Sequence, residues 1–330
     1  MKRFFLIYFF FIFIVSCSNT ILTGNVQKEF AVPVENNNYS IDIFFCPRDE
    51  CDLKLNEALN SASKSINCAF YNLNLDNIIE TIKNKENYID VKVVADDNAI
   101  KKLKRFNIKN LKYDTDKALM HNKFCIIDGN IITTGSMNPT NNDAKYNNNN
   151  LLIIKSKYLA ENYENEFNEL WDGEFGKGDA VENPVILLNN KKVENYFCPE
   201  DRCADNAIDL IKGSKKSIYF MAYSFTNEGI ADELVLKNID IKGIFDKTQA
   251  SNQYSQYKRL KEFGLDVILD KNKKLMHHKV FIIDNETVIT GSFNPTKSAD
   301  ERNDENVLII HDKEIARRYL EEFKYVWNLE

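Results

Sequence analysis

Residues 119–140 read LMHNKFCIIDGNIITTGSMNPT, and residues 275–296 read LMHHKVFIIDNETVITGSFNPT. About 13 of these 22 positions are identical without a gap, so the chain is written twice. The repetition spreads outward. Lys64-Ser65-Ile66 through Tyr71 matches Lys216-Ser217-Ile218 through Tyr223, and Tyr163, Phe167 and Trp171 match Tyr319, Phe323 and Trp327. Each half has the same order of signals. A strand pattern leads to a cysteine pair (Ile41–Phe45; Tyr196-Phe197), and a helix follows near 53–63 and 205–212. Strands and helices then alternate, with strands such as Val91–Ala95 and Ile239–Phe245. The motif strands come next, then another strand (Leu151–Ile154; Val307–Ile310) and a closing helix. This alternation indicates a layered α/β fold. The three aromatics, spaced i, i+4, i+8, fall on one helix face and are read as core. Two equal halves that cannot each form a whole site predict packing about a pseudo-twofold axis, motif face to motif face.

Within the repeat the polar positions follow His-x-Lys-x4-Asp-x6-Gly-Ser-x-Asn. They are His121, Lys123, Asp128, Gly135, Ser136 and Asn138, and again His277, Lys279, Asp284, Gly291, Ser292 and Asn294. One His-x-Lys would carry no weight; two full copies at identical spacing do. The pattern resembles the signature of the phospholipase D superfamily, in its phospholipase D, cardiolipin hydrolase and nuclease-like branch. The resemblance covers roughly residues 40–330. It implies two similar α/β/α-layered repeats about a pseudo-twofold axis, with one shared, metal-free active site and no cofactor.

The residues themselves suit that chemistry. On a strand, positions i and i+2 face the same way. His121 with Lys123, Ser136 with Asn138, His277 with Lys279 and Ser292 with Asn294 are therefore each expected on a common face. Together they offer two imidazoles ringed by cationic and neutral donors, as the anionic oxygens of a phosphodiester require. Asp128 and Asp284 lie at odd spacing from the histidines and are assigned structural roles. The chain has four histidines. His278 is out of phase with Lys279 and is expected to point away from the pocket, and His311 is read as a surface residue. Metal ligation is not expected, because no His/carboxylate cluster sits beside the motif and Lys is a poor ligand.

The resemblance implies a two-step displacement. One histidine attacks phosphorus; the other protonates the leaving alkoxide and then deprotonates water. Eleven residues after Asn294 stands Glu305, and the matching position in the first half is Asn149. In the family this position orients the catalytic histidine. A carboxylate favours imidazolium, whereas an amide orients without favouring charge. Pairing each with the histidine of its own half predicts His121 as nucleophile and His277 as acid/base.

Composition sets the setting. The chain has 330 residues, 44% apolar and 28% charged, with formal net charge −6. No large basic field is implied, which disfavours a dedicated nucleic-acid binder. Lys2 and Arg3 precede an apolar run, Phe4 to Val15, that is too short to span a bilayer. It ends Ile14-Val15-Ser16-Cys17, which resembles a bacterial lipobox, with Cys17 as the lipidation site; ordinary signal cleavage or an uncleaved anchor are the alternatives. The expected organisation is a signal peptide (1–16), a tether (17–39), a first repeat (40–172), a linker (173–192) and a second repeat (193–330). The expected location is extracytoplasmic, lipid-anchored to a bacterial membrane.

In that compartment Cys46–Cys51 and Cys198–Cys203 read as two short-range disulfides. A four-thiolate zinc site joining the halves is the alternative. Cys68 and Cys125 read as inert core residues. Phospholipid head-group diesters are the expected substrate, with DNA or RNA as the alternative and a non-catalytic binding lipoprotein as a third reading. No obligate protein partner is implied. Two basic groups, Lys271/Lys273/Lys274 and Lys101/Lys102/Lys104/Arg105, could serve nucleic acid, but as solvated faces they need no ligand. The segments 247–257, 141–146 and 297–304 are expected to rim the pocket.

Overall fold

A computed structural model describes residues 32–37 and 39–329. The expected signal peptide, Cys17 and most of the expected tether lie outside the described residues. Among the described residues no helix is long and apolar enough to cross a membrane.

In the first half the strands are β1 (Val34–Glu35), β2 (Ser40–Cys46), β3 (Ser65–Phe70), β4 (Asp90–Ala95), β5 (Leu111–Tyr113), β6 (Lys123–Ile127), β7 (Ile131–Gly135) and β8 (Asn149–Lys155). The second half supplies β9 (Val185–Leu188), β10 (Lys191–Cys198), β11 (Ser217–Ala222), β12 (Asp240–Phe245), β13 (Asp266–Leu269), β14 (Lys279–Ile283), β15 (Thr287–Gly291) and β16 (Glu305–His311). One sheet runs β2-β8-β7-β6-β3-β4-β5. The other runs β10-β16-β15-β14-β11-β12-β13, the same order, extended beyond β10 by β9 and β1. The repeat seen in the sequence is thus a repeat of topology. β3, β4 and β5 are parallel to one another, joined by crossover segments, while β6, β7 and β8 form an antiparallel meander.

Helices cover both faces of each sheet, so the central strands are mostly apolar, with the motif residues Lys123 and Lys279 at the start of β6 and β14 as exceptions. Every residue of β6 and of β14 is buried, as expected of strands packed on two sides. Helices Cys51–Asn60 and Asp76–Lys85 close the outer face of the first sheet, and Cys203–Gly213 and Glu228–Leu236 close that of the second. A single inner core joins the halves. Into it helix Lys157–Asp172 sends Leu159, Tyr163 and Phe167, and helix Lys313–Trp327 sends Ile315, Tyr319 and Phe323. The aromatic stripes are therefore inter-sheet packing, with Trp171 and Trp327 at its edge. Both helices start on side-chain caps, at Ser156 and Asp312, and the first stops at Gly173 in the left-handed region (φ 89°).

The expected linker is not wholly irregular. Its Val-Ile-Leu-Leu run forms β9, and β10 begins at Lys191, before the expected boundary. The expected tether contains β1, which pairs in parallel with β9, Val34 opposite Leu187. Glu35 then accepts hydrogen bonds from Ser156 Oγ and the Tyr158 amide, at the start of the first inner helix. Glycine- and acid-rich neighbours hid a four-residue apolar run whose alternate residues are buried.

The cysteines pair as Cys46–Cys51, Cys198–Cys203 and, against expectation, Cys68–Cys125. Cys68 and Cys125 stand directly opposite on antiparallel β3 and β6, with Cα atoms 4.1 Å apart. Facing cysteines at cross-strand distance bond; an apolar strand pattern alone does not reveal that they face.

Candidate active site

The motif residues meet where the two sheets abut, and backbone contacts between the halves fix the histidines. The His121 amide donates to Asp304 O (3.0 Å), and the His277 amide donates to Asn148 O (2.8 Å). Met120 bridges Asp304 and Met276 bridges Asn148 across the same junction. Each histidine thus leaves its own repeat and leans on the other. His121 and His277 both precede their strands, while Ser136, Asn138, Ser292 and Asn294 follow theirs. A continuous strand is therefore not what aligns them, contrary to the i, i+2 expectation; the inter-repeat contacts and the turns after β7 and β15 do so.

Those turns explain the motif glycines. Gly135 and Gly291 have φ of +134° and +139°. A Cβ there would lie 2.5 Å from Asn150 O and 2.2 Å from Asn306 O. Only glycine admits both the backbone angle and the close approach.

Around each imidazole the contacts cross between halves. His121 Nδ1 meets Glu305 Oε2 at 2.8 Å, and the same oxygen accepts from Ser292 Oγ at 2.6 Å. His277 Nδ1 meets Asn149 Oδ1 at 2.8 Å, and Ser136 Oγ donates to that oxygen at 3.0 Å. The expectation that Glu305 serves His277 and Asn149 serves His121 is therefore overturned. Each partner lies on the last strand of one repeat and serves the histidine of the other. Lys123 Nζ donates to His121 O, and Lys279 Nζ donates to His277 O at 2.7 Å. Asn138 Nδ2 donates to Asp143 Oδ2 at 2.7 Å, while Oδ1 of Asn138 and of Asn294 is buried without a partner.

Two residues not singled out as site groups belong here. The Tyr71 ring stands edge-on to His121 (4.7 Å between centroids), with Lys123 Nζ 5.2 Å from its centre. Tyr223 does the same for His277 (4.5 Å) and Lys279 (4.8 Å). Their duplication in the sequence was the available signal. The tyrosines wall each imidazole beside its lysine.

The site is buried, with Lys123 and Lys279 set among the carboxylates of Glu305 and Asp143. Burial, opposed by Glu305 and reinforced by Lys123, lowers the His121 imidazole to about 4. Burial lowers Lys123 to about 8. His277 and Lys279 are also held well below their ordinary values, by burial first and by neighbouring cations second. Two imidazoles and two ammonium groups stripped of water and set against each other form a receptor for an oxyanion. With Nδ1 of both rings engaged, Nε2 is the nitrogen available for chemistry.

Asp128 and Asp284 do not enter this pocket. Asp128 accepts from the amides of Ser63, Lys64 and Ser65, and Asp284 from those of Lys215, Lys216 and Ser217. Burial opposes ionisation of Asp128, but these bonds outweigh it and hold the carboxyl near 2. Each aspartate clamps the entry to β3 or β11. His278 turns into the core, with Nε2 3.2 Å from Glu322. His311 is half-buried against Glu194 and Thr287 rather than free on the surface.

Lys271, Lys273, Lys274, Lys104 and Arg105 are exposed, while the side chains of Lys101 and Lys102 lie outside the described residues. Of the expected rim segments, 141–145 and 297–301 are short helices. Glu166, Glu169 and Glu200 bring carboxylate oxygens within 4.8 Å of one another, and Glu166 accepts a hydrogen bond from Asn122 Nδ2 at 2.9 Å.

Known proteins resemble this chain in sequence and in fold. The family described as "Cardiolipin synthase, PLD-like domain" matches twice, over residues 55–171 and 207–327, together more than two thirds of the chain. A phospholipase D of Rickettsia bellii (strain RML369-C) is 35% identical over 140 residues, covering 42% of this chain and 70% of that protein. A mitochondrial cardiolipin hydrolase of Mus musculus is 36% identical over 120 residues, 36% of this chain and 54% of that protein. Among solved structures, the phosphatidylserine synthase of Haemophilus influenzae Rd KW20 is similar with a TM-score of 0.67. It covers 86% of this chain and 85% of that one at 14% identity, a likeness of fold.

Proposed function

We propose, from the premise that this chain belongs to the phospholipase D-like family, that it is a phosphodiesterase working through a phosphohistidine formed on His277. The observation that carries this is the crossed pair of held imidazoles, His121 on Glu305 and His277 on Asn149, within one cluster of buried cations.

His277 is kept neutral by burial and has an amide at Nδ1, so its Nε2 lone pair is free to attack phosphorus. His121 has a carboxylate at Nδ1, which favours the protonated ring once an anion occupies the site. It donates its Nε2 proton to the departing alkoxide as the P–O bond breaks, then takes a proton from water. That water attacks phosphorus, the P–N bond breaks, and His277 returns neutral. With the partners exchanged between the repeats, His121 takes the acid's role and His277 the nucleophile's, the reverse of the roles expected from the sequence. The lysines, Asn138, Asn294 and the tyrosine-walled pocket hold the phosphoryl oxygens as charge develops. These protein cations supply the charge that a metal would otherwise bring.

The test is turnover of bis(p-nitrophenyl) phosphate in EDTA, followed by intermediate trapping. His121→Asn still forms phosphoenzyme with this good leaving group; His277→Asn does not. Acid-labile label on the His277→Asn protein alone would restore the opposite roles.

Phospholipid head-group diesters are the substrate this reading favours. The acidic chain leans away from polynucleotide, and the lipobox-like Ile14-Val15-Ser16-Cys17 supports a site at a membrane surface. Parallel assays on phosphatidylcholine vesicles, cardiolipin and single-stranded DNA decide the class, faster cleavage of DNA being the result against it. Cys17→Ser releases the protein from the membrane fraction if that cysteine carries the anchor.

A further inference from the structure

Two of the positions at which the repeats differ lie behind the histidines, and these two differences compensate. Asn149 in the first repeat corresponds to Glu305 in the second, so His277 lacks the carboxylate that His121 has. Six residues earlier the exchange runs the other way: Asp143 in the first repeat corresponds to Ala299 in the second. Both sit in the five-residue helix after the motif, Asn141–Lys145 or Lys297–Glu301. Each backbone amide is capped by the equivalent threonine, Thr140 or Thr296, at 3.2 Å. The backbone is therefore the same, and only the side chain differs.

Asp143 is buried, 5% exposed. Its Oδ2 accepts from the backbone and side-chain nitrogens of Asn138 (2.9 and 2.7 Å) and lies 3.8 Å from His277 Nδ1. Its Oδ1 accepts from Asn147 Nδ2 (2.6 Å), and its carbonyl accepts from Asn149 Nδ2 (3.2 Å). One residue thus touches the motif amide Asn138, orients the amide that holds His277, and sets a negative charge just behind that ring. Ala299, at the equivalent place in the second repeat, has no group that could do this, and Glu305 reaches His121 directly.

We propose that Asp143 is a positioning residue for His277: its carboxylate supplies through space the negative charge that Glu305 gives His121 by direct contact, while its main-chain carbonyl orients Asn149. Each imidazole then has one carboxylate, at a different sequence position in each repeat. This rests on the phosphohistidine reading. When Nε2 of His277 bonds to phosphorus, its ring becomes cationic, and a carboxylate 3.8 Å from Nδ1 stabilises that state. The charge sits one atom shell away, so the resting ring stays neutral and nucleophilic while the intermediate is still supported.

Asp143→Asn, isosteric and uncharged, lowers kcat about 10–100-fold, by analogy with loss of the carboxylate that supports a metal-ligating histidine. Asp143→Ala does the same, and Asp143→Ala/Asn149→Glu, which writes the second repeat's solution into the first, recovers at least ten-fold of the loss. A merely structural aspartate would give no rescue. Titration of the His277 ring by NMR, with inorganic phosphate bound, needs no turnover. Its pKa falls in Asp143→Asn and rises in the double variant. An unmoved His277 titration in folded Asp143→Asn, or a double variant no faster than Asp143→Ala, overturns the proposal. Lack of turnover by the wild-type protein would instead overturn the phosphohistidine reading and leave the titration to decide on Asp143. If Asp143→Ala fails to fold, Asp143→Asn and its titration still decide.

Discussion

Desolvation dominates the behaviour of His121. Its folded pKa, about 4, lies below the ordinary 6.5, so the unfolded chain binds more protons between those values. The stability linked to this ring is complete above about pH 6.5 and is lost as pH falls toward 4. Thermal melts should fall across that window, and His121→Asn should flatten the fall; an equally steep decline in the variant would contradict this. The same depression has a functional face. An oxyanion entering the pocket restores the protonated forms, so binding of inorganic phosphate near pH 7 should take up protons. Calorimetry in two buffers of different ionisation enthalpy measures the uptake, and identical heats in both would be the contrary result. The titratable groups were legible in the sequence because spacing repeated them. Their partners were not. Glu305 and Asn149 were recognised as the orienting positions, but which ring each reaches depends on how the repeats dock, and no local periodicity encodes that.

Comparing equivalent elements shows how one fold carries two different packings. Where β3 and β6 are joined by Cys68–Cys125, β11 and β14 stack Phe220 on Phe281, with centroids 5.5 Å apart. The neighbouring strand adjusts. Val93 lies beside Cys68, but Gly243 lies beside Phe220, where a Cβ would come within 2.0 Å of the ring. Replacing both Cys68 and Cys125 by alanine should cost about 2–4 kcal/mol, from a closed loop of this length and the lost packing. A melt unchanged by the double substitution, or two free thiols at these positions in the folded protein, would show that the bond is not formed.

A second pair of elements differs in charge. In the loop after β2, Arg48 pairs with Glu322 of the opposite inner helix. In the equivalent loop Glu200 takes its place against Glu166, and burial with neighbouring carboxylates raises Glu200 to about 7. A carboxyl raised in the fold loses stability as pH climbs from its unfolded value, near 4.5, through 7. Glu200→Arg should remove that loss and raise Tm by a few degrees at pH 8, more than at pH 5. A smaller gain at the higher pH would contradict the reading. The cysteine-bracketed loops were visible as a repeated spacing, but that each loop packs on the other repeat's helix was not, because the contact spans the pseudo-twofold.

The whole molecule is one catalytic unit made from two non-interchangeable halves. Sheet order, inner helices and motif loops repeat, and that much followed from reading the sequence against itself. Function resides in the departures from symmetry: Glu305 against Asn149, Asp143 against Ala299. Both histidines reach acceptors across the interface within the same chain, so a complete site needs one polypeptide and no second. A mixture of His121→Asn and His277→Asn proteins should therefore show no more turnover than either alone, even after prolonged incubation at high concentration. Joining the intact first half of one variant to the intact second half of the other, by refolding the mixture from denaturant, should also yield nothing, because the shared inner core docks each repeat on its covalent neighbour at far higher effective concentration than on any other chain. Activity that rises with protein concentration in the mixture would mean that repeats exchange between chains, and that the site is assembled by docking rather than by connectivity.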